Sequence, residues 1–91
     1  MPQEQRQVHF RGRVQGVGFR YTTREIAEGF EVRGYVQNLP DGRVLLVAEG
    51  EAEELDAFLD AVEEQMAPYI QETQGSVRPA GGKFAGFEIR R

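Results

Sequence analysis

A chain of 91 residues has material for one small core, burying roughly 60–65% of the surface that its unfolded form exposes. It contains no cysteine, which excludes a disulfide framework and thiolate catalysis and leaves packing to stabilise the fold. The net charge of −4 is local: Glu51 to Gln65 holds seven carboxylates and no cation, and removing those seven leaves +3 for the rest. Residues 1–24 carry five arginines against one glutamate, so this end is the place to receive an anion.

The first residues, Met1 to Gln7, are polar, and no apolar stretch behind them is long enough for a signal-peptide core or a membrane span. The chain therefore reads as soluble and cytoplasmic, without a membrane partner. Val8–Val14 alternates, with Val8, Phe10 and Val14 on one side and His9, Arg11 and Arg13 on the other, which predicts a half-buried strand. From Phe19 the period changes. Phe19, Thr22, Ile26, Ala27 and Phe30 recur at helical spacing, predicting a helix that ends near Gly29 and follows the loop Gln15 to Gly18.

Val32–Gln37 and Arg43–Ala48 read as a strand pair around Asn38-Leu39-Pro40-Asp41-Gly42, whose Pro and Asp-Gly are turn formers. Leu45 and Leu46 make the second of these strands unusually apolar, as suits a covered core or a self-association surface. Leu55, Phe58, Leu59, Val62 and Met66 then form a second helical stripe with the carboxylates largely off it, a solvated face, and Pro68 stops this helix. Tyr69–Val77 is polar and predicts only a weak edge strand. After the turn-rich residues 78–82 come Phe84 and the alternating Phe87-Glu88-Ile89-Arg90. The order is β-α-β-β-α-β with room for a fifth short strand. It predicts an α+β, ferredoxin-like two-layer sandwich with an antiparallel sheet and both helices on one face. No repeat, low-complexity tract or linker divides the chain, so residues 1–91 read as a single domain.

The chemistry concentrates in Gly12-Arg13-Val14-Gln15-Gly16-Val17-Gly18-Phe19-Arg20, which leads from the first strand through a glycine turn into the helix. Glycine accepts positive φ and lets a ligand approach the backbone, so successive N–H groups can turn inward as an anion nest. The helix start behind it adds free N–H donors and partial positive charge. Arg20, in the first helical turn, can give two charge-assisted hydrogen bonds to one phosphate, a geometry lysine lacks. Gln15, Gly16, Val17, Gly18, Phe19 and Arg20 are thus the candidate phosphate-binding residues. No Gly-Lys-Ser/Thr closes the loop, and Tyr21 stands where a dinucleotide fingerprint needs glycine, which argues against nucleotide binding. Asn38 is by itself an ordinary turn residue, although an amide can both donate to and accept from a water.

These two segments, G-R-V-Q-G-V-G-F-R at 12–20 and G-Y-V-Q-N-L-P-D-G-R-V-L-L-V-A-E-G at 34–50, resemble the paired signatures of the acylphosphatase family. The resemblance extends over almost the whole chain. It implies hydrolysis of the carboxyl–phosphate bond of a small-molecule acyl phosphate, with phosphate held by Gln15 to Arg20 and the attacking water positioned by Asn38. Catalytic roles fall on Arg20 and Asn38, and inorganic phosphate is expected as product and competitive inhibitor of a monomeric enzyme. The chain departs from the family pattern at Met66-Ala67-Pro68-Tyr69-Ile70-Gln71, where loop shape and substrate selectivity are expected to differ.

Carboxylate is a good leaving group, so positioning and charge stabilisation suffice, with the substrate itself as base. No cofactor is expected, and no Cys/His cluster or repeated carboxylate spacing supports a metal site. His9 reads as an exposed sheet residue, Asp41 as a turn former, and Arg11, Arg13 and Arg33 as solvated strand charges. Thr22 and Thr23 read as capping or packing residues, since no base adjoins them. Two rivals compete. An RNA-recognition module shares the element order, but the glycine-rich aromatic segment lies before a helix and the domain is acidic, so no nucleic-acid partner is expected. A non-catalytic phosphate-binding or regulatory domain, as in larger carbamoyl-transfer enzymes, keeps the anion site without the chemistry.

Overall fold

The computed structural model describes residues 3–91; Met1 and Pro2, the start of the polar N-terminal stretch, lie outside the described residues. In chain order the elements are β1 (Glu4–Gly12), α1 (Phe19–Ala27), β2 (Arg33–Asn38), β3 (Val44–Gly50), α2 (Ala52–Met66), a 3-10 turn (Ala67–Tyr69), β4 (Ile70–Pro79) and β5 (Phe87–Arg90). They form a two-layer α+β sandwich, two helices on one five-stranded sheet of order β4-β1-β3-β2-β5.

The alternation of β1 and β3 sends Val8, Phe10, Val44, Leu46 and Ala48 inward, where they meet Phe19 and Ala27 of α1 and Leu55, Phe58, Leu59, Val62 and Met66 of α2. Burying each large apolar side chain contributes about 1.5–3 kcal/mol. Aromatic pairs tie the layers: Phe10 meets Phe19 at 5.0 Å between centroids, and Phe58 meets Phe30 and Phe87 at 5.9 and 5.6 Å. Glu53 and Glu54 occupy the first turn of α2, where carboxylates complement the helix dipole. Of the two leucines in β3, Leu46 is a core residue and Leu45 sits half-buried on the helix-free face.

The sheet is mixed, not wholly antiparallel as the element order predicts. β1, β3, β4 and β2 pair antiparallel, but β5 runs parallel to β2, with Gly34 opposite Phe87 and Gln37 opposite Arg90. Direction follows from where the chain re-enters. β4 ends at Pro79 opposite Glu4, at the end of the sheet where β1 and β2 begin, so after crossing beneath the sheet through residues 80–86 the next strand runs in the direction of β2.

β4 is also longer than the weak strand expected at 69–77. It pairs with β1 along its length, although every residue from Gln71 to Pro79 is exposed. A strand held by main-chain hydrogen bonds at an edge, with neither face covered, carries no apolar alternation to read.

Candidate functional site

The loop between β1 and α1 is shaped by two glycines in the left-handed region, Gly16 at φ 79° and Gly18 at φ 78°. A Cβ at either would meet nothing within 4 Å, so backbone conformation and not crowding calls for glycine there. Gly18 is also the N-cap of α1 and offers no side-chain cap. The helix ladder begins with Thr22 N–H donating to the Gly18 carbonyl at 2.9 Å, so the N–H groups of Phe19, Arg20 and Tyr21 are left without helical acceptors. The loop thus presents a run of outward donors with the positive end of a helix behind it.

A cleft of about 290 Å³ opens beside these donors. It is lined by Gly16, Gly18, Phe19 and Arg20 of the loop and helix start, by Asn38 at the end of β2, and by the apolar Val14 and Ile89. Tyr21 and Arg91 also line it, and among the described residues no Asp or Glu side chain does. Arg20 is oriented across the cleft by Nη1 donating to the main-chain carbonyl of Arg90 at 3.4 Å. The Oδ1 of Asn38 is buried without a hydrogen-bond partner among the described residues. An unmet buried acceptor costs about 1–3 kcal/mol, and a donor arriving in the cleft would satisfy it.

The structure brings Arg20, Asn38 and the glycine loop to one cleft, but it separates the loop's side chains by task. Gln15 does not line the cleft. Its Nε2 donates to the carbonyls of Leu39 and Arg43 at 2.8 and 3.0 Å, bracing the β2–β3 turn behind Asn38. Val17 packs against the core. That leaves the main-chain N–H groups of these two residues, the donors that the sequence reading assigned to the anion.

The same turn is closed by Asp41, which accepts from the Arg43 N–H at 3.1 Å and from Arg43 Nε at 2.8 Å. The main-chain hydrogen bond from Arg43, aided by its guanidinium, holds the Asp41 carboxyl below its ordinary range. Residues 66–71, where substrate selectivity was expected to diverge, do not line the cleft; they lead into β4 at the far edge of the sheet. His9 sits half-buried in mid-strand, remote from the site. Among the described residues no three His, Cys, Asp or Glu side chains converge as a metal site, and no helix is long and apolar enough to cross a membrane.

Glu49 escaped sequence reading. Its position in β3 suggests a solvated side chain, yet it is fully buried under the crossing that joins β4 to β5. Its carboxylate accepts from the N–H groups of Gly81 and Gly82 at 2.8 and 3.0 Å and from Gln5 Nε2 at 2.7 Å. Burial works against the charged form, but these donors together with the nearby Arg33 outweigh it and hold the carboxyl below its usual range.

Comparison with known proteins identifies a family. Its model, described as acylphosphatase, matches residues 6–89. A protein named acylphosphatase from Rubrobacter xylanophilus is 46% identical over 85 residues, 91% of this chain and 76% of its own length. Another of that name, from Archaeoglobus fulgidus, is 55% identical over 56 residues, 62% of this chain and 63% of the relative. The crystal structure of acylphosphatase from Bacillus subtilis superposes with a TM-score of 0.87 at 30% identity, covering 97% of this chain and 99% of that one.

Proposed function

The chain belongs to the acylphosphatase family and is an enzyme that hydrolyses acyl phosphates, and from that premise we propose that the cleft between the glycine loop and Asn38 performs the reaction. The supporting observation is the convergence on one cleft of free helix-start N–H donors, the Arg20 guanidinium and the unpartnered Oδ1 of Asn38.

In this reading the main-chain N–H groups of residues 15–20 and the Arg20 guanidinium receive the three terminal oxygens of the phosphoryl group. Donors fixed before the substrate arrives stabilise charge without reorganising during the reaction. Asn38 Oδ1 accepts a hydrogen bond from a water and turns its oxygen toward phosphorus, opposite the carboxylate leaving group. The water oxygen bonds to phosphorus while the bond from phosphorus to the acyl oxygen breaks, and the electron pair leaves with the carboxylate. The water's proton passes to a phosphoryl oxygen, giving inorganic phosphate. No side-chain base is required, because the barrier is lowered by alignment and electrostatics. We read residues 1–91 as one domain, acting in the cytoplasm as a monomer and inhibited competitively by inorganic phosphate.

The test is hydrolysis of benzoyl phosphate with chelator present, with inorganic phosphate as a competitor. Fast, chelator-insensitive turnover with competitive inhibition is expected. Breakdown at the spontaneous rate would leave a phosphate-binding domain without catalysis and end the mechanistic reading.

A further inference from the structure

The carbonyl that orients Arg20 belongs to a residue pinned on the opposite face of the sheet from the helices. β5 is an edge strand of four residues, paired only with β2, and Arg90 is its last residue. The end of a singly paired edge strand frays first unless a side chain holds it. Here one does. Tyr35 and Arg90 share the helix-free face, since their neighbours Val36 and Ile89 turn to the core. The Arg90 guanidinium lies 3.8 Å from the centroid of the Tyr35 ring, and Glu88 accepts from its Nε at 3.2 Å. Phe84 of the crossing loop closes on the pair, 5.8 Å from Tyr35 between centroids and 5.9 Å from the guanidinium. The main-chain carbonyl of the same Arg90 accepts from Arg20 Nη1 at 3.4 Å.

We propose that Tyr35 is a positioning residue: by stacking on Arg90 it fixes the carbonyl against which Arg20 is aimed, and so sets the affinity of the cleft for the phosphoryl group. This rests on the assignment of the phosphoryl group to Arg20 and the glycine loop. Tyr35 does not itself line the cleft. The ring face attracts the guanidinium, and the hydroxyl is not needed for that. Without the ring the end of β5 loosens, and Arg20 must be ordered at the moment phosphate binds, a cost that appears in binding.

The experiment measures kcat on benzoyl phosphate and the dissociation constant of inorganic phosphate, the latter by NMR titration so that inactive variants are included. The variants are Tyr35→Phe, Tyr35→Leu, Arg90→Met, Arg20→Gln and the combination of Tyr35→Leu with Arg20→Gln. Tyr35→Leu should weaken phosphate binding by about threefold, and Tyr35→Phe should keep the wild-type value. Arg90→Met, which retains the carbonyl and loses the stacked cation, should match Tyr35→Leu. In the Arg20→Gln background Tyr35→Leu should change phosphate binding no further, because the residue it positions is gone, whereas a general structural loss would persist there. Unchanged binding in Tyr35→Leu and Arg90→Met overturns the proposal and leaves Arg20 at its site. So does an equal loss in the Arg20→Gln background, or a loss confined to kcat, which displacement of Asn38 on the same strand would give. Phosphate binding that is absent from the wild type or indifferent to Arg20→Gln overturns the phosphoryl-site reading as well.

Discussion

Glu49 Oε2, at the end of β3, accepts the main-chain N–H of Gly81 at 2.8 Å and so fastens the crossing loop that delivers β5 to the far edge of the sheet. The link spans 32 residues and reaches the cleft through Arg90, whose carbonyl receives Arg20.

Glu49→Gln removes the charge from this anchor and is expected to cost about 1.5–3 kcal/mol. The pH dependence has a definite sign. The folded carboxyl titrates below its unfolded value, so its stabilisation is complete above the ordinary glutamate range and is lost as pH falls through the folded value. Urea unfolding at pH 7 and at successively lower pH should show the wild type converging on Glu49→Gln. A gap that stays constant down to the acid transition would refute the assignment.

Arg20→Lys keeps the charge but loses the two-pronged donor, and a loss on the order of 10- to 100-fold in kcat/KM is expected, with weaker inhibition by inorganic phosphate. Asn38→Ala should lower kcat by about 10²–10³ and change phosphate inhibition much less, since the water and not the phosphoryl group is left unheld. Steady-state kinetics with phosphate as inhibitor separate the two, and equal effects on phosphate affinity would argue against distinct roles.

Gln15→Ala frees the β2–β3 turn from the loop. Each of its hydrogen bonds contributes about 0.5–1.5 kcal/mol. The expected signature is kinetic: kcat falls by about tenfold as Asn38 loses its fixed position, and phosphate inhibition holds near the wild-type value. A larger loss of phosphate affinity than of kcat would return the Gln15 side chain to the anion site.

Thr23→Val tests the interior of α1. Thr23 is fully buried and its Oγ1 has no partner among the described residues, so exchanging hydroxyl for methyl removes an unmet polar atom at constant shape. Thermal unfolding should show unchanged stability or a gain of up to about 1 kcal/mol. A clear destabilisation would mean that the hydroxyl is satisfied in solution.

The helices and inner strands were legible because their apolar spacing is the imprint of a one-sided core: Phe19 to Ala27 and Leu55 to Met66 announce their buried faces directly. The turn at Gly16 and Gly18 and the helix start at Phe19 were legible as structure, since positive φ and a change of period each leave a residue-level mark. Asn38 was not. A turn asparagine and a water-orienting asparagine are the same letter, and only the family resemblance proposes the second role for it. Glu49 and the parallel β5 were hidden for another reason. Both depend on where the chain goes after Pro79, and residues 80–86 carry no period to indicate which sheet edge they reach. The part of the Gln15 side chain in bracing the neighbouring turn was not legible either, because its acceptors are main-chain carbonyls more than twenty residues away.

The placement of β1 between β3 and β4 governs how the chain can assemble. Its β4 partners lie far along the sequence, from Ile70 opposite Gly12 to Pro79 opposite Glu4. An emerging chain therefore holds its first strand with one side unpaired until residues 70–79 have been synthesised. Pairings this distant in sequence must close long loops before they are rewarded, which places folding toward the slower end for domains of this size, milliseconds to seconds. The loop and Arg20 are made early, but their cleft is completed only when β5, which carries Ile89, joins the sheet after the crossing at residues 80–86.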